Sequence, residues 1–353
     1  MESSILVRLL QVQAPKVWIA TVLLLLWQSN LVFTEGGNID FIEIFSGQAK
    51  VTQYWSEQGY RCCKVDLDYD ECMDFNACGG FLLCAHLILN QVPDRCNLLA
   101  PVCGSWSAVS RGSTLRSYIN PMGRHCPSVD SGNRMVSRCV LLILLMMSKN
   151  LRWLLEQPHQ SLLPRHKRME WLLNRVVFVH IVYFWMMHYN KKSPKRSMML
   201  SNMSSISMLD LGVLTKKQRD IPDRLETTCK YLDKDGILRY QGNKQLKSTQ
   251  FYSREFGKKL LEVYQAAQAD SSRLDLRTRP EIDSRKTDRE LFENLPLGDI
   301  WYESDCHKAF EYLYNSKYLR IPTSWAPTIQ SFRTDLLEEV KRIESNPDGR
   351  DCI

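Results

Sequence analysis

Two side chains in the first half of the chain, Cys103 and Glu156, have the types and settings that nucleophilic and acid chemistry need. Cys103 follows the short apolar run Asn97-Leu98-Leu99-Ala100 and opens a polar loop, while Glu156 closes Leu151-Arg152-Trp153-Leu154-Leu155. A thiol attacks as its thiolate, so a pKa ordinarily about 8.5 has to be lowered by a nearby arginine or helix dipole. A buried carboxyl on a neighbouring strand end can protonate or hydrogen-bond a heterocycle. Upstream, Phe45-Ser46-Gly47 ends one apolar segment and Asp66 ends the next. A glycine there lets a ligand approach the backbone, and a carboxylate can accept hydrogen bonds from two ribose hydroxyls. After Cys103, the loop 111–127 carries Arg111, Arg116 and Arg124, types that grip phosphate. The plainer alternatives are a small buried cysteine and a glutamate that only caps a strand, and a loop of this length is either functional or disordered.

The elements that would position these groups can be read in order. Residues 39–45 form an apolar strand, Lys50 to Gln58 a helix stopped by Gly59, and Tyr60 to Asp66 a second strand. That βαβ unit has about the 30 residues of a mononucleotide-binding half. Phe75 to Gln91 reads as a helix ended by Pro93, and Ser131 to Ser148 as a long buried helix. A further helix is expected over Pro164 to Asn174, then strands over Val176 to Met187 and Met198 to Leu200. Asn190 to Arg196 is the turn between them. The expected class is α/β, a doubly wound Rossmann-like, mostly parallel sheet over 39–205, with an α-rich appendage over 206–353. In that appendage Thr228 to Gly242 reads as a hairpin, and helices are expected around 256–267 and 327–344. Ser271 to Arg289 is a polar linker between them.

Charge supports the division. Residues 1–209 hold 21 Lys and Arg against 14 Asp and Glu, whereas 210–353 hold 25 of each. The whole excess of +7 therefore lies in the first part, compatible with a polyanionic partner. Hydrophobic content of 44% and charged content of 24% are those of a folded chain, which excludes extensive disorder. Nine of the twelve cysteines lie between Cys62 and Cys139 without any C-x-x-C pair, so zinc is poorly supported and no metal is expected. Residues 1–38 form a hydrophobic N-terminal segment. Its run Val17 to Trp27 is short of the about 20 residues that span a membrane, but within the about 7–15 of a signal-peptide core. Residues 17–33 thus serve either as a targeting or anchoring segment or as a helix packed on the sheet.

Glu43-Ile44-Phe45-Ser46-Gly47 with Asp66 resembles the S-adenosylmethionine (SAM) site of class I methyltransferases, with Ala49 where a second glycine is usual. Pro101-Val102-Cys103-Gly104-Ser105-Trp106-Ser107 is similar to the P-P-C-Q-x-F-S loop of cytosine-C5 DNA methyltransferases, and Glu156-Gln157-Pro158 to their E-N-V segment. Lys192 to Asn202 resembles the strand 6–7 hairpin of methyltransferase-like sheets. More closely, residues 39–203 resemble a set of protist proteins without an assigned activity. They share A-P-V-C-x-S-W, N-P-x-G (Asn120 to Gly123) and W-x-x-E-Q-P.

The resemblance implies SAM held by Phe45, Ser46, Gly47 and Asp66, Cys103 attacking cytosine C6, and Glu156 contacting N3. It also implies a sheet one βα unit short between Asp66 and Asn97. The expected function is that of a SAM-dependent methyltransferase-like protein acting on cytosine in DNA, nuclear or cytoplasmic. The rivals are an inactive Rossmann-like binding or scaffold module of a mobile-element-type protein, and a membrane-anchored or secreted protein using the sheet structurally.

Overall fold

The computed structural model describes residues 2–12, 14–29, 39–175, 179–189, 192, 194–221, 225, 228–232, 234–242 and 249–269. The expected linker from Ser271 and the helix 327–344 lie outside them. Two N-terminal helices, α1 (Glu2–Gln11) and α2 (Lys16–Ser29), precede β1 (Ile39–Ile44), α3 (Lys50–Glu57) and β2 (Cys62–Val65). Then come α4 (Cys78–Leu89), β3 (Gln91–Leu99), the single turn α5 (Arg111–Thr114) and the long α6 (Pro127–Ser148). β4 (Arg152–Pro158), α7 (Lys167–Arg175), β5 (His180–Trp185) and β6 (Arg196–Ser201) follow. The short α8 (Lys216–Arg219), the hairpin β7 (Thr228–Leu232) and β8 (Leu238–Gly242), and α9 (Arg254–Ala269) complete the described chain.

Six strands form one mixed sheet in the order β2-β1-β3-β4-β6-β5, an α/β arrangement. β1, β2, β3 and β4 pair in parallel, and β6 runs antiparallel between β4 and β5. In the chain no further strand intervenes between β2 and β3, and in the sheet β2 is an edge. Alternation along the strands divides the apolar side chains between two faces. Ile42, Ile44, Leu99, Leu155 and Leu200 face one cluster, built from α1, α2, α4, α6 and α7. Phe41, Leu98, Leu154, Phe184 and Met199 face the other, built from α3 and α9. Strands buried on both faces read as near-continuous apolar runs, which is why 39–45 and 151–155 were legible.

Helix α4 is mostly apolar and buries Phe81, Leu82, Cys84, Ala85, Ile88 and Leu89, with Trp18 of α2 on Phe81 at 5.1 Å. Trp18, Ile19, Val22 and Leu24 are buried in the same cluster as the sheet. The hydrophobic run at residue 17 therefore packs on the domain. No helix of the described residues is long and apolar enough to cross a membrane.

Two expectations need correction. The helix expected over 75–91 spans only 78–89, and Pro93 does not stop it but sits inside β3. Proline has no N–H to give a ladder and is tolerated at bulges. The β1–β3 register shifts between Ile39↔Gln91 and Phe41↔Cys96, with Asp94 at φ 68°. The break expected near 205 is likewise not a break in packing. α9 lies across α3, where Trp55 donates to the Gly257 carbonyl at 3.1 Å and stacks on Phe41 at 4.1 Å. A Cβ on Gly257 would come within 3.1 Å of the Val51 Cα, so the two helices cross in close backbone contact. Residues 254–269 are core, not appendage.

Candidate active site

The turn after β1 is strained and tightly held. Phe45, Gly47 and Ala49 all have positive φ, at 65°, 52° and 50°. A bulky residue such as Phe45 in that region costs about 1–2 kcal/mol and persists only where its surroundings enforce it. Here the N–H groups of Phe45 and Ser46 both donate to the Val65 carbonyl, at 2.9 and 3.2 Å. Gly47 N–H donates to Asp66 Oδ2 at 2.8 Å, and the Phe45 ring meets Phe75 edge-on at 4.7 Å. Asp66 Oδ1 takes the Asp68 N–H at 3.0 Å, so the carboxylate clamps both loops and retains only its remaining lone pairs for a ligand. The Ser46 hydroxyl is turned to the Val65 carbonyl and is buried, a structural role rather than the expected ligand contact.

Glu43 explains how α3 starts without a conventional cap. Ala49, at its N-cap, offers no side-chain acceptor, and Glu43 Oε2 takes both the N–H (2.8 Å) and the hydroxyl of Thr52. Glu43 is fully buried, and burial pushes its pKa up to about 7 despite those hydrogen bonds.

The Cys103 loop is fixed from beneath. Gln157 Nε2 donates to the Pro101 carbonyl at 2.6 Å, and the Cys103 carbonyl accepts from the N–H groups of Trp106 and Ser107, both at 3.0 Å. Arg116 lies over the Trp106 ring at 3.4 Å and donates to Ser105 Oγ, Asn133 Oδ1 and the Val129 and Pro121 carbonyls. Only 2% of Arg116 is exposed, so it is a strut of this loop and not the phosphate contact expected of it. A cation with five N–H donors can be buried here because carbonyl, hydroxyl and amide oxygens meet four of its contacts. A Cβ on Gly132 would come within 2.4 Å of Ser105 Oγ, which shows how closely α6 approaches the loop. Arg111 is half-buried and donates to the Gln160 carbonyl at 3.2 Å, whereas Arg124 is exposed.

Glu156 does not follow β4 but lies inside it, paired with Met199 of β6. It is 4% exposed. Lys195 Nζ stands 3.3 Å from Oε1, an ion pair off the hydrogen-bond axis, and Tyr252 donates its hydroxyl to Oε2 at 3.0 Å. Burial acts against the Lys195 charge, yet Glu156 and Cys103 beside it raise its pKa overall. Burial, helped by Glu156, holds the Tyr252 hydroxyl well above its ordinary pKa and therefore protonated. Burial also pushes the Cys103 thiol up, Glu156 adds to this, and Lys195 opposes it. The expected arginine or helix dipole beside the thiol is replaced by a lysine, and the resting sulfur is a thiol.

All of this opens on one cavity of about 710 Å³ at the carboxyl ends of β1, β3 and β4. Phe45, Gly47 and Asp66 line it together with Cys103 and Glu156, so five of the six residues expected for cofactor and chemistry share one space. Lys195, Phe251 and Tyr252 also line it, and none was foreseen. Lys195 was visible only as part of a basic turn. Phe251 and Tyr252 precede a helix 96 residues or so beyond Glu156, and no local pattern announces such a partner. Comparison with family models, with curated proteins and with solved structures finds no match for the chain.

Proposed function

We propose that the chain is a SAM-dependent methyltransferase-like protein with a doubly wound sheet, and that its substrate is cytosine in nucleic acid. The observation that carries this reading is the shared cavity: a glycine turn and strand-end carboxylate on one side, a cysteine and a buried glutamate on the other. The antiparallel β6 inserted between β4 and β5, and the single strand β2 outside β1, support a methyltransferase-like sheet lacking one βα unit. A volume of about 710 Å³ lies within the roughly 300–1,000 Å³ of small-molecule sites.

The residues fit an adenosyl group. Phe45, Val65, Met73 and Phe75 give an apolar bed, Asp66 offers lone pairs to ribose hydroxyls, and Asn76 Oδ1 has no hydrogen-bond partner among the described residues. SAM, when bound, supplies an electrophilic methyl group. On the other side, Cys103 Sγ bonds to cytosine C6 while its proton passes to Glu156, which delivers it to N3. The C5=C6 π pair becomes C4=C5, and the C4=N3 pair moves onto the protonated nitrogen. Lys195 stabilises the charge on sulfur and carboxylate as the proton moves between them.

Calorimetry with SAM tests the cofactor half, and a covalent adduct with 5-fluorocytosine DNA tests the chemistry. Cys103→Ser should lose the adduct and keep SAM binding, and Glu156→Gln should slow adduct formation by about 10²–10⁴-fold. No heat with millimolar SAM ends the reading. The second reading, a non-catalytic binding module, is favoured by one observation. The Tyr252 hydroxyl already occupies Glu156 Oε2, beside a thiol held protonated. SAM binding without any adduct would select it.

A further inference from the structure

Outside the cavity, rings and guanidinium groups stand together in two groups on neighbouring segments. The first group stands on the loop after Cys103. The Cζ atoms of Arg111 and Arg165 each lie 5.8 Å from the ring centroid of Tyr118, which is 69% exposed. Ile119 beside it is 97% exposed, yet it sits at the tip of a closed turn. Ser117 N–H donates to the Asn120 carbonyl at 3.0 Å, and the Ser117 hydroxyl accepts the Asn120 N–H at 2.9 Å. The second group stands on the β5 edge. Arg196 lies 5.8 Å from the Tyr183 ring and 5.6 Å from Trp185, and His159 meets Tyr183 edge-on at 4.8 Å. Burial and Arg196 lower the His159 pKa, so it adds a neutral ring.

The two groups are joined. Arg111 Nη2 donates to the Gln160 carbonyl, the residue after His159, and the His159 N–H donates to the Arg196 carbonyl at 3.0 Å. Both also connect to the cavity wall. Ser110 and Thr114 of the first group's loop line it, Lys195 precedes Arg196, and Glu156 lies three residues before His159. Among the described residues Arg111 and Arg196 have no carboxylate partner, and Arg165 pairs with Glu170 at 3.0 Å.

We propose that this surface, from Tyr118 through Arg111 and His159 to Tyr183, Arg196 and Trp185, is a binding track for a single-stranded nucleic acid passing the cavity mouth. The inference deepens the reading of the cavity as a nucleic-acid site and rests on it for its substrate. Every base has a π-face, so exposed rings hold unpaired bases without regard to sequence, while guanidinium groups between them meet the phosphates. A duplex keeps its bases stacked and out of reach of such rings, so it gains only the phosphate contacts.

The test is fluorescence anisotropy of the full chain with a labelled oligothymidine and with a duplex of equal length, over a range of salt and without SAM. Single strand should bind more tightly than duplex. Tyr118→Ala and Tyr183→Ala should each weaken single-strand binding on the order of ten-fold. Tyr118→Phe, which keeps the ring, should bind as the wild type does. Arg111→Gln and Arg196→Gln should each reduce the salt slope by about 0.7. Equal or tighter duplex binding, or Tyr118→Ala and Tyr183→Ala variants that bind like the wild type, would overturn the proposal. SAM calorimetry on the same variants separates the two claims. Heat with SAM but no preference for single strands removes the track and leaves the cavity reading, and the reverse result removes the cavity reading alone.

Discussion

Tyr252 donates its hydroxyl to Oε2 of Glu156 at 3.0 Å, joining residues 96 positions apart inside a buried site. Tyr252→Phe keeps the ring and leaves that oxygen without its donor. Hydrogen bonds to charged groups contribute about 1.5–3 kcal/mol. The variant should lose stability of that order in urea titration, measured as a lower midpoint with an unchanged slope. An unchanged midpoint would mean that water replaces the hydroxyl.

Cys103 sits between two opposed influences, Lys195 lowering and Glu156 raising its thiol pKa against a background of burial. Alkylation of Cys103 by iodoacetamide, followed by peptide mass spectrometry over pH, reads the thiolate fraction. Lys195→Met should move the midpoint to higher pH, and Glu156→Gln should move it to lower pH. Shifts of the same sign would show that the two variants act through packing instead of charge.

Glu43 supplies a pH dependence of stability. Its folded pKa is raised from 4.5 to about 7, so between those values the folded state binds more protons than the unfolded one. Stability is therefore fully present below about pH 4.5 and falls as pH rises toward 7. At about 1.4 kcal/mol per unit the loss is about 3 kcal/mol. Glu43→Gln keeps an oxygen for Thr52 and should gain on the wild type by that amount across the window. Urea unfolding of both proteins at intervals of pH measures the difference.

Gly47 has φ +52°, and a Cβ there would lie 3.3 Å from Phe251 Cδ1. Gly47→Val puts a branched side chain both on a disfavoured backbone and in the cavity wall. SAM binding should disappear in calorimetry, while thermal unfolding still shows one cooperative transition at lower temperature.

Phe256 is fully buried against Phe184 at 5.7 Å and Tyr189 at 5.4 Å. Phe256→Ala should destabilise the whole sheet by about 3–5 kcal/mol in a single transition. Were residues beyond 205 a separate unit, the transition monitored at the N-terminal tryptophans would stay where it is.

By itself the sequence determined the sheet's inner strands, its α/β character, the turn at Gly47 and the strand-end positions near Cys103, because each depends on a run of neighbouring residues. Apolar runs such as 151–155 are buried on both faces, and a glycine after such a run marks a place where backbone must be approached closely. What only the tertiary structure decided depends on pairs far apart in the chain. Arg116 sits in a basic loop, yet its guanidinium turns inward onto Trp106 because four oxygens and a ring await it there. Tyr252 belongs to the charge-balanced second part, yet burial beside Glu156 makes it part of the site. The charge break near 205 misled because charge describes surface, whereas membership of a core is set by buried apolar area. Phe256 and Tyr264 reach the sheet's second face only once α9 has folded across α3.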